Sequence, residues 1–311
     1  MDTELILITG AAGVMGRKLA SALSSQGRRV RALCLPGDAA AEFLREAGVE
    51  VALGDVTRPE TLGPAVQGAD IVFHLAAVMQ ARDPGVFETV NAGGTANLVK
   101  ACEAAGIRHF IHVSSISVIY PWSNAYARSK RRSEEIVRTS SLPFTIIRPS
   151  LAYEDGGGIE FMRFVDHLKR GPWIFLPQGG KARKNPVHVD DLVSGFLSLP
   201  DNALALGKTY AFTGGEPLSL KKMAQALLAH MGRPKPCIGF PLWLGFILTG
   251  AAWFWSRLSG RPNMLTLQSL TGLVQDAAPE DSAAAGDLGF RPRPFREGLP
   301  TLRSIKDCLA S

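Results

Sequence analysis

Cysteine is scarce and unpaired in this sequence: four residues in 311, Cys34, Cys102, Cys237 and Cys308, with no C-x-x-C spacing among them. A disulfide framework and a zinc site built on paired thiols are thereby excluded, and a reducing cytoplasm is the expected setting. Nor is there a basic segment leading into a signal-like apolar run at the start, where Met1-Asp2-Thr3-Glu4 passes directly into a strand-like stretch. No cleavable signal is expected, and the mature chain is expected to begin here. Internal repeats and low-complexity blocks are lacking as well, which excludes a solenoid or a compositional tail. No basic tail with interleaved aromatics is present. The formal net charge of +6 is spread widely, and its densest run, Arg128 to Arg132, reads as a solvated helix face. Nucleic acid is therefore not an expected partner, whereas an anionic small molecule or surface is attracted.

What is present is an ordinary globular composition, 46% hydrophobic and 20% charged, with a length sufficient for one large α/β unit and a smaller lobe. Apolar β-rich runs at Leu5–Thr9, Val30–Cys34, Val49–Leu53, Ile71–Leu75, His109–Val113 and Phe144–Ile147 alternate with helix-length segments. Alternation of this kind predicts a doubly wound parallel sheet whose ligand lies beyond the C-terminal ends of the strands. After Pro149 the alternation stops, and Gly156-Gly157-Gly158 opens a mixed stretch. The expected organisation is a dinucleotide-binding domain over residues 1–150, with 185–213 returning to it. Residues 151–184 and 214–311 then form a substrate lobe. His188-Val189-Asp190-Asp191 reads as a loop feeding a helix, and Asp276–Ala285 as a surface loop.

Thr9-Gly10-Ala11-Ala12-Gly13-Val14-Met15-Gly16 follows the first strand and opens a helix through Arg17–Ser25. Glycine permits a tight turn and lets backbone amides at a helix N-terminus approach a pyrophosphate, so Gly10, Ala12, Gly13, Val14, Met15 and Gly16 are candidate cofactor contacts. Close helix–strand packing would explain the same small residues without a ligand.

Tyr126-Ala127-Arg128-Ser129-Lys130 places a phenol and an ammonium at i and i+4, on one helix face. A free tyrosine has a pKa near ~10, and a neighbouring lysine charge is expected to lower it toward proton transfer. The lysine can also hold a ribose. Ser114-Ser115 closes the preceding strand, and Ser115 is the candidate for stabilising charge on a substrate oxygen, with Ser114 and Ser117 as substitutes. Taken alone, Ser-Ser after a strand is often only a helix cap.

These motifs, in this order, resemble the extended short-chain dehydrogenase/reductase family, the nucleotide-sugar epimerase/dehydratase and 3β-hydroxysteroid dehydrogenase group. Gly54-Asp55-Val56, Phe73-His74-Leu75-Ala76-Ala77, Asn91–Leu98, Ile147-Arg148-Pro149-Ser150, Val187–Asp191 and Asp287-Leu288-Gly289-Phe290 also look like family segments, so the likeness runs almost to the C-terminus. It implies cofactor contacts at Asp55, Val56, Leu75, Ala76, Ala77, Asn91 and Pro149 besides Tyr126 and Lys130. Structural alternatives are a satisfied strand histidine at His74, and helix caps at Asn91 and Asp190. The cap is the preferred role for Asp190. No metal is implied, and homodimers through a helix pair are common in such relatives.

The departures bear on cofactor and substrate. The second strand ends in Cys34 where a carboxylate would favour NAD, and no arginine follows it to grip a 2′-phosphate. NADP is thus placed slightly ahead of NAD. Leu151-Ala152-Tyr153-Glu154 replaces the Tyr-Gly-Pro type of sequence of sugar-nucleotide enzymes. The expected reaction is hydride transfer between nicotinamide and a carbinol or ketone, with sterol- or lipid-like substrates among those expected. An epimerase or dehydratase without net cofactor turnover is one alternative, and a non-catalytic dinucleotide-binding sensor or assembly protein is another.

Cys237 to Ser256 carries no charged side chain and holds Trp243, Phe246, Trp253, Phe254 and Trp255. A lid helix over a substrate pocket is the first expectation for it. Peripheral contact with a membrane comes next, and a true span, broken by Pro241, Gly245 and Gly250, comes last.

Overall fold

A computed structural model describes residues 4–259, 267–277 and 282–307; Cys308 and positions 278–281 of the expected Asp276–Ala285 loop lie outside them. Strands β1 (Leu5–Thr9), β2 (Arg29–Cys34), β3 (Glu50–Leu53), β4 (Ile71–His74), β5 (His109–Val113) and β6 (Phe144–Pro149) fall on the apolar runs. Then come β7 (Ala152–Tyr153), β8 (Ile174–Pro177), β9 (Arg183–Lys184), β10 (Val187–His188), β11 (Thr209–Phe212), β12 (Leu218–Ser219) and β13 (Cys237–Phe240). The first six strands and β11 form one seven-stranded sheet in the order β11-β6-β5-β4-β1-β2-β3, every pairing parallel. The winding reverses between β1 and β4, so their loops diverge and leave a crevice at the strand C-termini.

Helices α1 (Val14–Ser25), α2 (Ala40–Glu46), α3 (Leu62–Val66), α4 (Gly85–Phe87), α5 (Gly94–Ala105) and α6 (Ala125–Thr139) lie between the first six strands. They are followed by α7 (Ile159–Lys169), α8 (Val189–Leu197), α9 (Leu220–His230), α10 (Leu242–Ser259), α11 (Leu267–Val274), α12 (Ser282–Leu288), α13 (Phe295–Gly298) and α14 (Arg303–Asp307). Strand residues alternate between the faces of the sheet. Ile6 and Ile8 of β1 pack with α1, α2, α8 and α12 through Leu19, Leu44, Phe196 and Leu288. Leu5 and Leu7 pack the other way, with α3, α5 and α6 through Leu62, Leu98 and Val137. Both faces are covered, and this is why the strands read as continuous apolar runs.

The lobe after β6 has its own core, in which Tyr153, Phe161, Val165, Leu176, Met223, Leu227 and Phe295 are buried together. Small strand pairs, β7–β10, β9–β12 and β8–β13, brace it. Charge ties it to the first core: Lys18 of α1 pairs with Glu154 at 2.6 Å and Asp190 at 2.7 Å, and Arg293 with Asp191 at 2.8 Å.

Three local expectations change. Helix α8 begins at Val189, so Val189-Asp190-Asp191 is its first turn instead of a feeding loop. Its cap is His188, whose Nδ1 accepts from the Asp190 amide at 3.1 Å, and Asp190 faces Lys18 instead of capping. The helix dipole favours both aspartates where they stand. In the Asp276–Ala285 segment the chain is already helical from Ser282. Finally, Cys237–Phe240 is strand β13, and α10 turns its large side chains to solvent, opposite to a lid closed on a pocket.

Candidate active site

The turn after β1 is built by sterics. Gly10 has φ +72°, and a Cβ there would lie 2.6 Å from the Ala76 amide nitrogen, so β1 and β4 could not stay paired at their ends. A Cβ on Gly16 would overlap the Gly10 carbonyl oxygen and Ala11. Both glycines are therefore required by packing alone. Gly13 differs: it is exposed, a Cβ there would meet only the Gly10 oxygen at 3.3 Å, and it stands at the N-cap of α1 with no side chain capping the helix. The first amides of α1 thus face the crevice beside a residue without bulk, a cradle that suits a pyrophosphate. Ala12, Val14 and Met15 flank it half-buried, while Ala76 and Ala77 continue from β4 on the other side.

His74 ends β4 and is fully buried, its Nδ1 2.7 Å from Thr9 Oγ1 and its Nε2 2.9 Å from Thr95 Oγ1. Thr95 donates its own proton to the Asn91 carbonyl at 2.5 Å, so it accepts from Nε2–H, and Thr9 donates to Nδ1. Burial, with Lys130 nearby, takes the imidazole down to about 3. His74 is thus the satisfied strand histidine, pinning the β1 and β4 loops to α5.

Asn91 is buried in a π-helical turn, Glu88–Gly93, and caps nothing. Its Oδ1 accepts from the Val78 amide at 2.8 Å, and its Nδ2 donates to the Val78 carbonyl and to Ser129 Oγ, each at 3.0 Å. Ser129 in turn donates to the Tyr126 carbonyl at 2.8 Å. The loop after β4 and the helix carrying Tyr126 are locked through this one amide. Asp55 turns its carboxylate to the Thr57 amide at 2.8 Å, shaping the loop after β3. Val56 is buried under α5, Leu75 packs on the α1 side of the sheet, and Pro149 closes β6 beside Phe212.

Ser115, Tyr126 and Lys130 meet at the end of β5. Lys130 is buried and donates to the Val113 carbonyl at 2.8 Å, and desolvation brings its pKa down to about 8 against the opposing pull of Glu134. Ser115 caps the turn Ile116–Ile119 by accepting from Ser117 N at 3.2 Å, so the bland reading is realised, and its hydroxyl also adjoins the Tyr126 phenol. The substitutes are less well placed: Ser114 is buried and Ser117 is nearly so, its hydroxyl 2.9 Å from that of Ser115. Tyr126 departs from expectation. Burial, and then the carboxylate of Glu160, push its pKa up, with Ser115 opposing them. The phenol is held protonated at neutral pH, a proton donor first.

Glu160 had no motif to announce it. It opens α7, stands exposed at the rim yet ringed by enough protein to raise its own pKa, and acts on Tyr120 and Tyr126. Lys184 also went unnoticed: its ammonium donates to the Gly272 carbonyl at 2.7 Å and to the Gln275 carbonyl at 2.5 Å, 5.8 Å from the Tyr120 ring. Gln275 grips both backbone groups of Trp122, at 2.7 and 3.1 Å, and so fastens the loop before α6 to the second lobe. These residues come from segments distant in sequence, and only the lobe packing joins them. At the far end of the crevice, Asp38 follows β2 and acts electrostatically on the Cys34 thiol, which burial pushes up. Arg31 points away, bound to Glu50 at 2.7 Å and to the Ala65 and Gln67 carbonyls at 2.9 and 2.7 Å. Among the described residues no His/Cys/Asp/Glu cluster could hold a metal.

Fold and turn define a dinucleotide-binding protein, and comparison with known sequences agrees: the model of a family described as NAD(P)H-binding matches residues 10–171. The chain belongs to the extended short-chain dehydrogenase/reductase family and is an NAD(P)-dependent oxidoreductase of that family. Among curated proteins it is similar to 3 beta-hydroxysteroid dehydrogenase/Delta 5-->4-isomerase of Mycobacterium tuberculosis, 27% identical over 99% of this chain and 91% of that one. Similarity to ceramide reductase of Caulobacter vibrioides is 38% over 60% of this chain and 58% of that one. Of solved structures, that of gox2253 superposes with a TM-score of 0.80 at 24% identity, covering 98% of each chain. UDP-glucuronic acid 4-epimerase of Bacillus cereus, in complex with UDP-glucuronic acid and NAD, gives 0.74 at 18%, covering 98% of this chain and 99% of that one. At these identities the structural likeness concerns the fold.

Proposed function

We propose that this protein reduces a ketone on a bulky lipid-like substrate to the carbinol, and runs the reverse oxidation, with the cofactor across the Gly10–Gly16 turn. The observation that carries the reading is the meeting of Ser115, a protonated Tyr126 and a buried Lys130 at the C-terminal end of β5. The bound cofactor supplies or accepts the hydride. Tyr126 gives its proton to the substrate oxygen, Ser115 donates a hydrogen bond to the same oxygen, and Lys130, with two protons left beyond its bond to Val113, holds the ribose and compensates the phenolate.

The names of several relatives support a lipid-like substrate: a 3β-hydroxysteroid dehydrogenase, a ceramide reductase and, in Stigmatella aurantiaca, a farnesyl-dihydroquinoline-oxide ketoreductase. A nucleotide-sugar reaction is less well supported. Tyr153 is buried against Phe161, His188 and Phe295, and Glu154 is paired with Lys18, so the segment in place of Tyr-Gly-Pro serves the core. For the cofactor, Cys34 at the end of β2 supports NADP, whereas the commitment of Arg31 and the nearness of Asp38 support NAD, which we place first. The working location in this reading is the cytoplasmic side of a membrane.

The test is Tyr126→Phe. Dinucleotide affinity, measured by fluorescence titration with NAD and NADP separately, should stay nearly unchanged, while turnover on a panel of sterol and long-chain ketones falls by about 10²–10⁴-fold. Equal activity in the variant defeats the assignment. Accumulation of oxidised nicotinamide during turnover separates a reductase from an epimerase.

A further inference from the structure

Helix α10 is packed inside out. At 100° per residue, Gly245, Thr249, Ala252 and Ser256 share one side and are buried or half-buried, as are Leu242 and Leu244 in the first turn; Gly245 fits against Leu270 of α11 and Phe240 of β13. The opposite side carries Trp243, Ile247, Phe254 and Leu258 in a row, flanked by Trp253 and Trp255, all exposed, Leu258 to 69% and Trp255 to 66%. A helix serving only a water-soluble core turns its bulk inward and its small or polar residues outward. The apolar surface continues onto the neighbouring strand pair, where Trp173, Phe175 and Ile238 are exposed while Ile174 and Leu176 point into the core. A contiguous aromatic surface of this kind marks a contact.

Charge identifies the partner. Between Glu216 and Asp276 the sequence has no acidic residue, while Lys221, Lys222, Arg233, Lys235, Arg257 and Arg261 equal the whole formal excess of +6. The rest of the chain balances. Basic groups stand at the edges of the apolar surface: Arg257 lies 5.8 Å from the Trp253 ring, Arg233 is exposed just before β13, and Lys235 holds the Leu168 carbonyl at the end of α7 at 2.7 Å. A second copy seated here would bring like charge against like charge. An anionic lipid surface supplies the opposite sign together with an apolar layer for the rings. Among the described residues no helix is long and apolar enough to cross a membrane, so α10 lies on it.

We propose that α10 and the β8–β13 edge dock flat on an anionic lipid surface, Trp243, Ile247, Phe254 and Leu258 entering the headgroup layer and Arg233 and Arg257 meeting lipid phosphates. The use of this contact rests on the reading above, since it brings a lipid-like substrate to the lobe that faces Tyr126; the docking itself does not. Helix α11 connects the two, packing on Gly245 at Leu270 and leading into Gln275, which holds the Trp122 backbone beside α6.

The experiment is co-sedimentation of the full chain with vesicles of phosphatidylcholine alone and of phosphatidylcholine with phosphatidylglycerol. Binding is expected to the anionic vesicles, to weaken as salt is added, and to fall about fivefold for each of Arg233→Gln and Arg257→Gln. Trp243→Ser combined with Phe254→Ser should lose sedimentation altogether while keeping turnover on a short soluble ketone. Absence of binding to anionic vesicles, or binding that neither set of variants changes, overturns the proposal. So does a stable dimer in sedimentation velocity that Trp243→Ser/Phe254→Ser dissociates while vesicles stay unbound, since the partner is then a second copy. Tyr126→Phe should sediment like the parent; an active Tyr126→Phe removes the catalytic reading and leaves the docking result standing.

Discussion

Asn91 Nδ2 donates to Ser129 Oγ across 3.0 Å, joining the loop after β4 to the helix that carries Tyr126 and Lys130. Asn91 also satisfies both backbone groups of Val78. Replacement by alanine strands those half-buried groups, at up to about 1–3 kcal/mol each, and lets the loop drift from α6. Asn91→Ala should therefore lower the melting temperature and reduce kcat. Ser129→Ala should reduce kcat with a smaller thermal effect. Unchanged melting of Asn91→Ala would show that the clamp is not rigid in solution.

The glycines of the first turn separate packing from binding. Gly16→Ala forces a Cβ into the Gly10 carbonyl and should abolish soluble expression or drop stability by several kcal/mol. Gly13→Ala meets only one oxygen at 3.3 Å, so its fold should survive while dinucleotide affinity falls at least tenfold. A Gly13→Ala protein that binds cofactor normally would remove the pyrophosphate from this turn.

Lys130 predicts a pH profile. Burial lowers its pKa to about 8, so it is charged below that value and loses charge above it. Ketone reduction should fall as pH rises through about 8, and Lys130→Met should be slow at every pH. The same burial carries the opposite sign for stability. Below pH 8 the native state holds a charge that water would solvate better, and the unfolded lysine keeps its proton to higher pH, so stability rises with pH above 8. Lys130→Met should accordingly be more stable than the parent at pH 7, by about 1–3 kcal/mol, when unfolded in urea.

Three buried histidines make the fold acid-sensitive. Burial takes His74 to about 3 and His109 to about 4, and His112 well below its ordinary value, with neither ring nitrogen of His112 hydrogen-bonded. The unfolded chain takes up protons on them near pH ~6.5 and the native state does not, so stability is full above that pH and is lost as pH falls toward 4. Urea midpoints at pH 7 and pH 5 measure this. His112→Leu should flatten the slope and stabilise the protein, because it removes an unpartnered polar ring.

Sequence pattern reached far into the sheet, because a strand covered on both faces must be apolar along its length, and this shows as runs such as Leu5–Thr9 and His109–Val113. It reached the Gly10–Gly16 turn and the Tyr126/Lys130 pair because both are local, fixed by spacing within one turn or one helix. It fell short where a role depends on what packs alongside. Asn91, expected as a cofactor contact with a helix cap as the alternative, is no cap, and its bonds to Val78 and Ser129 make a clamp between elements that no local motif announces. The expected lowering of Tyr126 by the lysine charge is not realised: burial, and then Glu160 some thirty residues further along the chain, raise the phenol, and it is Ser115 that opposes them.

By itself the sequence determined the doubly wound sheet, the glycine turn after β1 and the placement of Tyr126 and Lys130 one turn apart on a helix, since each follows from short-range periodicity and backbone sterics. Only the tertiary structure decided the protonation of those groups, the inclusion of Glu160, Lys184 and Gln275 around them, and the outward face of α10. Desolvation and Coulomb interaction depend on three-dimensional distance and on the surrounding medium, and the direction in which a largely apolar helix turns is set by the surface it packs against.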